Sequence, residues 1–401
     1  MSELTQTEQN FISLLRSALS DRPMECAMSA DADVVSILRL AANHKLYHMI
    51  LSVLPEDVLP EGINRRRELI GQLTSQVQAS TAFLELYSAM EQAGFHPLVV
   101  KGIVCRALYP QPELRPSSDE DLYVAADEFE PCCAFLKEHG MIPDKTPFTD
   151  FGEVGWRNAS GMYIELHRDL FECDETRELQ EFFSFDSLHT ESYNNPYGRS
   201  VVSLNHHDHF LYLLLHAYKH FIHSGFGIRQ VCDIGLWAQK YGDRINWQKL
   251  AAQCDSVKIR QFTAAVLGIA RYDLQIEFTV PTEFEAAADY GKPMLKDILC
   301  GGIYGSVDTN RQHSATMTLS AVKASQTDEK SGIWKSVFPS REAMERKYPY
   351  VKKHPILLPA AWLQRLCSYA KRNATGETKA AKSLAIGKER IELLRLYGIV
   401  E

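Results

Sequence analysis

The sequence predicts an α+β fold, in which a small mixed β-sheet with flanking helices lies between an amino-terminal helical region and a carboxy-terminal helical domain. Apolar residues recur at helical spacing up to about residue 94, three short strand-like runs follow, and helical spacing returns from residue 205. We therefore expect a helical region packed on the core over 1–94, an α/β core over 95–200, a helical domain over 201–306, a mobile loop over 307–333 and a helical segment over 334–401.

The first elements are helical. Phe11, Leu14 and Leu15 begin one apolar stripe, and residues 34–40 carry a second. Residues 65–94 contain no proline, and no glycine interrupts the stretch between positions 71 and 94, which predicts a long helix ending at the second glycine. Residues 97–100 then predict the first strand.

Two further strands and a helix complete the predicted core. Leu122, Tyr123 and Val124 form the second strand, residues 126–140 form a helix stopped by a glycine, and residues 162–166 form the third strand. Beyond it, a helical domain is indicated by apolar residues at helical spacing: Leu211, Leu214, Leu215, Tyr218 and Ile222. The segment 307–332 is polar, which predicts the mobile loop.

Composition narrows the function classes. The chain has 401 residues, of which 45% are hydrophobic and 23% are charged, and it is therefore long and apolar enough to form a substantial buried core. The net charge of −8 disfavours general DNA binding, because phosphate contacts need clustered basic residues. We find no apolar run of membrane-spanning length, no signal-peptide pattern at the start, and nine scattered cysteines without a C-x-x-C pair. We expect a cytoplasmic protein with reduced thiols.

Acidic residues mark the strands of the predicted core. Asp119 and Asp121 precede the second strand and, being two apart, would share one face of it. On the third strand, Glu165 and His167 alternate with apolar residues and also share a face. If these strands are neighbours, three carboxylates converge. Because close carboxylates repel each other, a hard divalent cation such as Mg²⁺ is their expected partner.

Several basic residues could contact phosphate or support the acids. The planar guanidinium of Arg115 suits phosphate oxygens, although a buried arginine paired with Asp121 or Glu113 would have the same sequence pattern. Arg229 and Asp233 are spaced for an i,i+4 ion pair; alternatively, Arg229 binds nucleotide or acceptor while Asp233 orients it. His167 could orient Glu165 or simply pack within its strand.

The predicted helix after Asn205 is rich in histidine. Three of these share one face, a spacing that could bind Zn²⁺: His216, His220 and His223. The adjacent His207 and Asp208 are similar to the metal-binding pair of HD phosphohydrolases. The simpler interpretation is that the histidines form local hydrogen bonds at helix ends and interfaces.

These motifs together resemble the uncharacterised nucleotidyltransferase family of the polymerase β-like superfamily. The matching residues are Lys101-Gly102, Leu108-Tyr109-Pro110, Arg115, Ser118-Asp119-x-Asp121-Leu122, Glu165-Leu166-His167, Leu215-His216-x-x-Lys219-His220-Phe221, Gly227-x-Arg229-x-x-x-Asp233, Phe338-Pro339-Ser340 through Tyr348-Pro349, and Pro355-x-x-x-Pro359. The resemblance covers most of the chain. It implies that Asp119, Asp121 and Glu165 are catalytic metal ligands, that Lys101-Gly102 marks the turn at the nucleotide phosphates, and that Lys219 and His220 lie on a helix closing over the triphosphate.

Two positions depart from the superfamily pattern. Ile103 stands where serine is usual, so that Lys101 or Ser118 would take over its phosphate contact. Glu120 stands where an apolar residue is usual, which predicts a partly exposed sheet face or a local bulge.

The expected activity is transfer of a nucleoside monophosphate from an NTP, such as ATP, to a hydroxyl-bearing acceptor, with Mg²⁺ or Mn²⁺ as cofactor. The acceptor could be a small molecule, a protein or tRNA, and we expect no membrane partner. Two alternatives remain: a non-catalytic nucleotide-binding protein that retains the fold, and a metal phosphohydrolase that uses the histidine-rich helix.

Overall fold

The computed structural model describes residues 3–20, 32–117, 119–144, 152–171, 177–223, 225–303, 311, 314, 318–319, 322, 341, 344–345, 348–374 and 380–400. The helices with described bounds are α1 (Gln6–Ser20), α2 (Val34–Asn43), α3 (Tyr47–Val53), α4 (Arg65–Gln92), α5 (Gly102–Arg106), α6 (Phe129–Glu138), α7 (His206–His223), α8 (Ile228–Tyr241), α9 (Trp247–Ser256), α10 (Arg260–Gly268), α11 (Lys292–Gly301), α12 (Tyr350–Lys353), α13 (Leu358–Ala374) and α14 (Ala380–Leu396). The strands are β1 (Leu98–Val100), β2 (Glu120–Tyr123), β3 (Ile142–Pro143), β4 (Glu153–Arg157), β5 (Tyr163–His167), β6 (Thr190–Asn194) and β7 (Ser200–Leu204).

Five strands form one mixed sheet in the order β1-β2-β5-β4-β3. β2 and β5 run parallel, and the other three neighbouring pairs are antiparallel. The two remaining strands, β6 and β7, form a separate hairpin, and β7 packs against β1. Helices precede and follow this sheet, which confirms the predicted α+β class.

The long helix α4 leads into the sheet much as its sequence predicts. The Asn64 side chain accepts a hydrogen bond from the backbone N–H of Arg67 and so caps the start of the helix. The helix ends just before Gly94, whose φ of 90° turns the chain towards β1. Buried Phe83 and Tyr87 belong to one core that continues through the sheet and α7.

Helix α7 lies in the same core. Asn205 caps its first turn by accepting the backbone N–H of Asp208 at 2.9 Å, and Phe210, Leu214 and Tyr218 are buried. Because apolar residues occupy most of its circumference, α7 is enclosed between the strands and α8.

The sequence pattern did not predict β3, β4 or the β6–β7 hairpin. The hairpin crosses the predicted domain boundary between residues 200 and 201. Most of the predicted mobile segment 307–333 lies outside the described residues. Among the helices that the structure describes, none combines the length and apolar character needed to cross a bilayer.

Candidate active site

Two carboxylates from different strands meet on one face of the sheet. Asp121 on β2 pairs in register with Glu165 on the parallel strand β5, so that both side chains emerge side by side. The Asp121 side chain is 1% exposed and the Glu165 side chain 26%. One ligand atom from each of Asp121, Glu165 and His167 lies within 4.8 Å of the others, a grouping that could hold a metal ion.

His167 lies between the acids. Its Nε2 is 3.3 Å from Asp121 Oδ1 and 3.8 Å from Glu165 Oε2, and its Nδ1 is 3.7 Å from Glu153 Oε2 on β4. Burial lowers the pKa of His167, but the hydrogen bond to Asp121 and the three surrounding carboxylates outweigh burial and raise it. Along β4, partly exposed Glu153 and Gly155 alternate with buried Val154 and Trp156. This period of two is a strand signal that the sequence prediction missed.

The two acids differ in their affinity for protons. Burial and the negative charge of Asp121 raise the pKa of Glu165 to about 8. Burial also acts to raise the pKa of Asp121, but Lys101 and His167 outweigh it and hold that pKa well below its ordinary value. At neutral pH the pair therefore carries a proton on Glu165, which a metal cation would have to displace.

Lys101 supplies a positive charge to this group. It occupies the turn between β1 and α5 with φ 64° and ψ −133°, a conformation that residues other than glycine rarely adopt. Its Nζ lies 2.9 Å from Asp121 Oδ1 and 2.7 Å from His216 Nε2 on α7. Its backbone N–H donates to His209 Nε2 at 3.3 Å. His209 thus helps to hold the backbone of the turn, and His216 helps to hold the ammonium group.

Glu120 faces away from Asp121, Glu165 and His167 and is buried. Its Oε2 accepts the backbone N–H of Ile103 at 2.7 Å, and its Oε1 accepts Arg106 Nη2 at 2.7 Å. A Cβ at Gly102 would lie 1.9 Å from Glu120 Oε2, so the turn requires glycine there. The expected exposed sheet face or bulge was wrong, because Arg106 and the start of α5 satisfy this carboxylate.

Asp119 lies one residue before β2 and is half-buried. It is outside the group of three ligand atoms, in which His167 takes the position that the sequence pattern gave to Asp119. The role of Asp119 as a metal ligand remains a prediction. Ser118, the other predicted residue of this loop, lies outside the described residues.

Arg115 is a buried structural arginine, as one interpretation of the sequence allowed, but its partner is Asp233. Arg115 Nε and Nη2 lie 2.9 and 2.6 Å from the two carboxylate oxygens, and the Tyr109 hydroxyl donates to Oδ1 at 2.7 Å. The expected pair between Arg229 and Asp233 does not form, because Arg229 donates to the Pro116 carbonyl instead. These contacts attach the loop before β2 to α8.

The histidines of α7 have several separate partners. His207 Nε2 lies 2.9 Å from Gln253 Oε1, and Asp208 accepts a hydrogen bond from Asn205. The predicted His207–Asp208 pair therefore makes hydrogen bonds to other protein side chains. The rings of His216 and His220 are in contact, with centroids 4.6 Å apart and planes tilted by 41°. Burial and nearby Lys101 lower the pKa of both rings.

The zinc and phosphohydrolase hypotheses receive no support from this arrangement. Within the described part of the chain, the metal-capable group contains no α7 histidine. Instead, His216 contacts Lys101, and Lys219 and His220 follow it along α7 towards its carboxyl end. The contact between His216 and Lys101 was not predicted, since no local pattern links the two residues.

Comparison with known protein families identifies a match for this chain. The family model described as an uncharacterised nucleotidyltransferase matches residues 30–274, which include the whole sheet, both carboxylates, Lys101 and α7. No curated protein and no solved structure matches the chain significantly. Since the match covers more than half of the sequence, the chain belongs to the uncharacterised nucleotidyltransferase family.

Proposed function

We propose that the protein is a metal-dependent nucleotidyltransferase that moves a nucleoside monophosphate from an NTP to a hydroxyl-bearing acceptor. The observation that carries this proposal is the meeting of Asp121, Glu165 and His167 beside the ammonium group of Lys101. Family membership supports nucleotidyl transfer as the reaction class.

The ligand set fits a divalent cation. The two carboxylates offer hard oxygen ligands, which Mg²⁺ prefers, and the imidazole offers one nitrogen ligand. The mixed set of oxygen and nitrogen ligands also suits Mn²⁺. Asp121, Glu165 and His167 would hold the ion, and the sequence pattern adds Asp119. When bound, such an ion neutralises the triphosphate and lowers the pKa of the attacking hydroxyl.

The transfer step needs a proton acceptor, and Glu165 suits this role. The pKa of about 8 belongs to the metal-free site, where Glu165 holds a proton at neutral pH. Metal binding would displace that proton, and the ionised carboxylate could then act as the general base. The acceptor oxygen forms a bond to the α-phosphorus, the bond from that phosphorus to the β-phosphate bridging oxygen breaks, and pyrophosphate leaves. The hydroxyl proton passes to Glu165.

Positive charge near the phosphates would come from Lys101 and from Lys219 on α7. Gly102 opens α5 without a side chain, and His220, as a neutral ring, can donate one N–H. Arg115, Arg229 and Asp233 support the loop before β2 in this proposal, because their described contacts are with protein groups.

Label transfer tests the proposal. Purified protein is incubated with each α-labelled NTP, Mg²⁺ or Mn²⁺, and acceptors that include small hydroxyl compounds, tRNA and the protein itself. We expect label on an acceptor with the wild type and a loss of at least about 1000-fold with Asp121→Asn. Glu130→Gln, which removes an exposed acid on α6, is the matched control and should retain transfer.

The two alternatives predict different outcomes. A non-catalytic binding protein would retain NTP without labelling any acceptor under any condition. A phosphohydrolase built on α7 would release phosphate at an unchanged rate in the Asp121→Asn variant. Either result would contradict the proposed transfer reaction.

A further inference from the structure

The Lys101 ammonium group contacts a carboxylate oxygen that a metal ion could use. Its Nζ lies 2.9 Å from Asp121 Oδ1, and the same oxygen lies 3.3 Å from His167 Nε2 within the metal-capable group. Two cations on one carboxylate oxygen repel each other strongly in a buried site. Lys101 in this position therefore competes with a divalent ion for Asp121.

Helix α7 helps to hold the ammonium group there. His216 Nε2 lies 2.7 Å from Nζ, and the Tyr212 hydroxyl also hydrogen-bonds Lys101. An ammonium group can only donate, so His216 Nε2 accepts and the ring proton is on Nδ1. That buried Nδ1 has no hydrogen-bond partner. Because an unsatisfied buried donor is costly, a ligand that supplies an acceptor would improve this arrangement.

The lysine can move while its backbone stays fixed. The turn at Lys101 is fixed by the contact of its N–H with His209 and by the bond from the Ile103 N–H to Glu120. The side chain, by contrast, is a flexible four-carbon stem and is 17% exposed, whereas Asp121 is 1% exposed. The Lys101 side chain is thus the more accessible member of the pair.

We propose that Lys101 is an internal counter-cation that occupies Asp121 until a triphosphate draws the ammonium group away, so that metal and nucleotide enter the site together. The inference rests on the proposed function, since it takes a nucleoside triphosphate as the ligand. Phosphate oxygens replace Asp121 as acceptors for Lys101, and the released carboxylate then becomes available to the metal.

Two binding measurements test this exchange. The first is the affinity for Mn²⁺ alone, measured by electron paramagnetic resonance without nucleotide. Lys101→Met should bind Mn²⁺ at least about tenfold more tightly than the wild type, because the competing charge is gone. The second is the affinity for inorganic tripolyphosphate, measured by calorimetry in EDTA. Here Lys101→Met should bind at least about tenfold more weakly.

Control variants separate this effect from loss of charge or fold. Lys137→Met removes an exposed lysine from α6 and should change neither affinity by more than about twofold. Lys101→Gly also removes the ammonium group, but its glycine suits the left-handed backbone and offsets part of the stability lost with the buried ion pair, so it should fold and repeat both shifts. Circular dichroism checks the fold of each variant.

Unchanged or weaker Mn²⁺ binding by both Lys101 variants would overturn the proposal, and so would unchanged tripolyphosphate binding. These results are distinct from failure of the proposed function, which would appear as absence of label transfer from every NTP in the wild type.

Discussion

Asp121 and Glu165 occupy the same register position on adjacent parallel strands, and their carboxylates share one buried surface of the sheet. This relationship separates their pKa values. Lys101 and His167 stabilise the charge on Asp121, while burial and the Asp121 charge keep a proton on Glu165 up to about pH 8. Metal binding and proton release are therefore coupled.

Mn²⁺ affinity should increase with pH below about 8. A protonated Glu165 cannot act as a ligand, so each unit of acidification weakens binding by about tenfold, and the raised pKa of His167 adds to this slope. Electron paramagnetic resonance titrations between about pH 6 and 9 measure the effect. Glu165→Gln should bind more weakly and with a shallower slope. A flat wild-type profile below pH 8 would contradict the prediction.

Asp119 and His167 should contribute differently to metal binding. Because His167 belongs to the described ligand group, His167→Gln should weaken nucleotide-free Mn²⁺ binding by about 10- to 100-fold. Asp119→Asn should leave that affinity within about twofold, because Asp119 lies outside the described ligand group. It should reduce nucleotidyl transfer by at least about 100-fold if, as we expect, Asp119 joins the metal ligands when nucleotide is bound. Equal effects of both variants on Mn²⁺ binding would favour the three-carboxylate set predicted from the sequence.

The buried pair of Arg115 and Asp233 should matter for stability. Asp233→Asn leaves the guanidinium group, which is 3% exposed, without its counter-charge, and should lower the free energy of unfolding by about 3 kcal/mol. The nucleotide KM should change by less than about threefold. Urea unfolding and label-transfer kinetics measure these quantities. Asp243→Asn, at an exposed acid, is the control. A large rise in KM with unchanged stability would instead indicate that Arg115 binds phosphate.

Acid should destabilise the protein through buried His44. The ring is fully buried and stacks on Phe11 at 5.9 Å, and burial lowers its pKa to about 4. Its pKa in an unfolded chain is about 6.5, so between these values only the unfolded state binds the proton, and stability is lost as the pH falls.

The change can be measured by urea unfolding at about pH 7.5 and about pH 5. Over this interval His44 should cost the wild type about 2 kcal/mol, and His44→Gln should lose correspondingly less. His354→Gln, at an exposed histidine, should behave as the wild type does. Equal losses in wild type and His44→Gln would show that His44 is not responsible.

Local sequence was sufficient for the elements that depend on local rules. Helix α4 begins at residue 65 and ends before Gly94 as predicted, because capping residues and glycine act over a few positions. The alternation of Glu165 and His167 with buried neighbours assigned both side chains to one face of β5, since that period is a property of any strand. The same reasoning assigned Asp121 to the face opposite Glu120.

Tertiary structure determined the charge partners. Three charged side chains are neutralised by residues that are not their neighbours in sequence: Glu120 by Arg106, Arg115 by Asp233 and Lys101 by Asp121. Lys101 also contacts His216. A buried charge must be neutralised by whichever group packing brings within reach, and the order of the strands and the position of α7 decide which group that is. The sequence thus determined which residues could carry the chemistry, whereas the packing of α7 and α8 against the sheet determined their contacts.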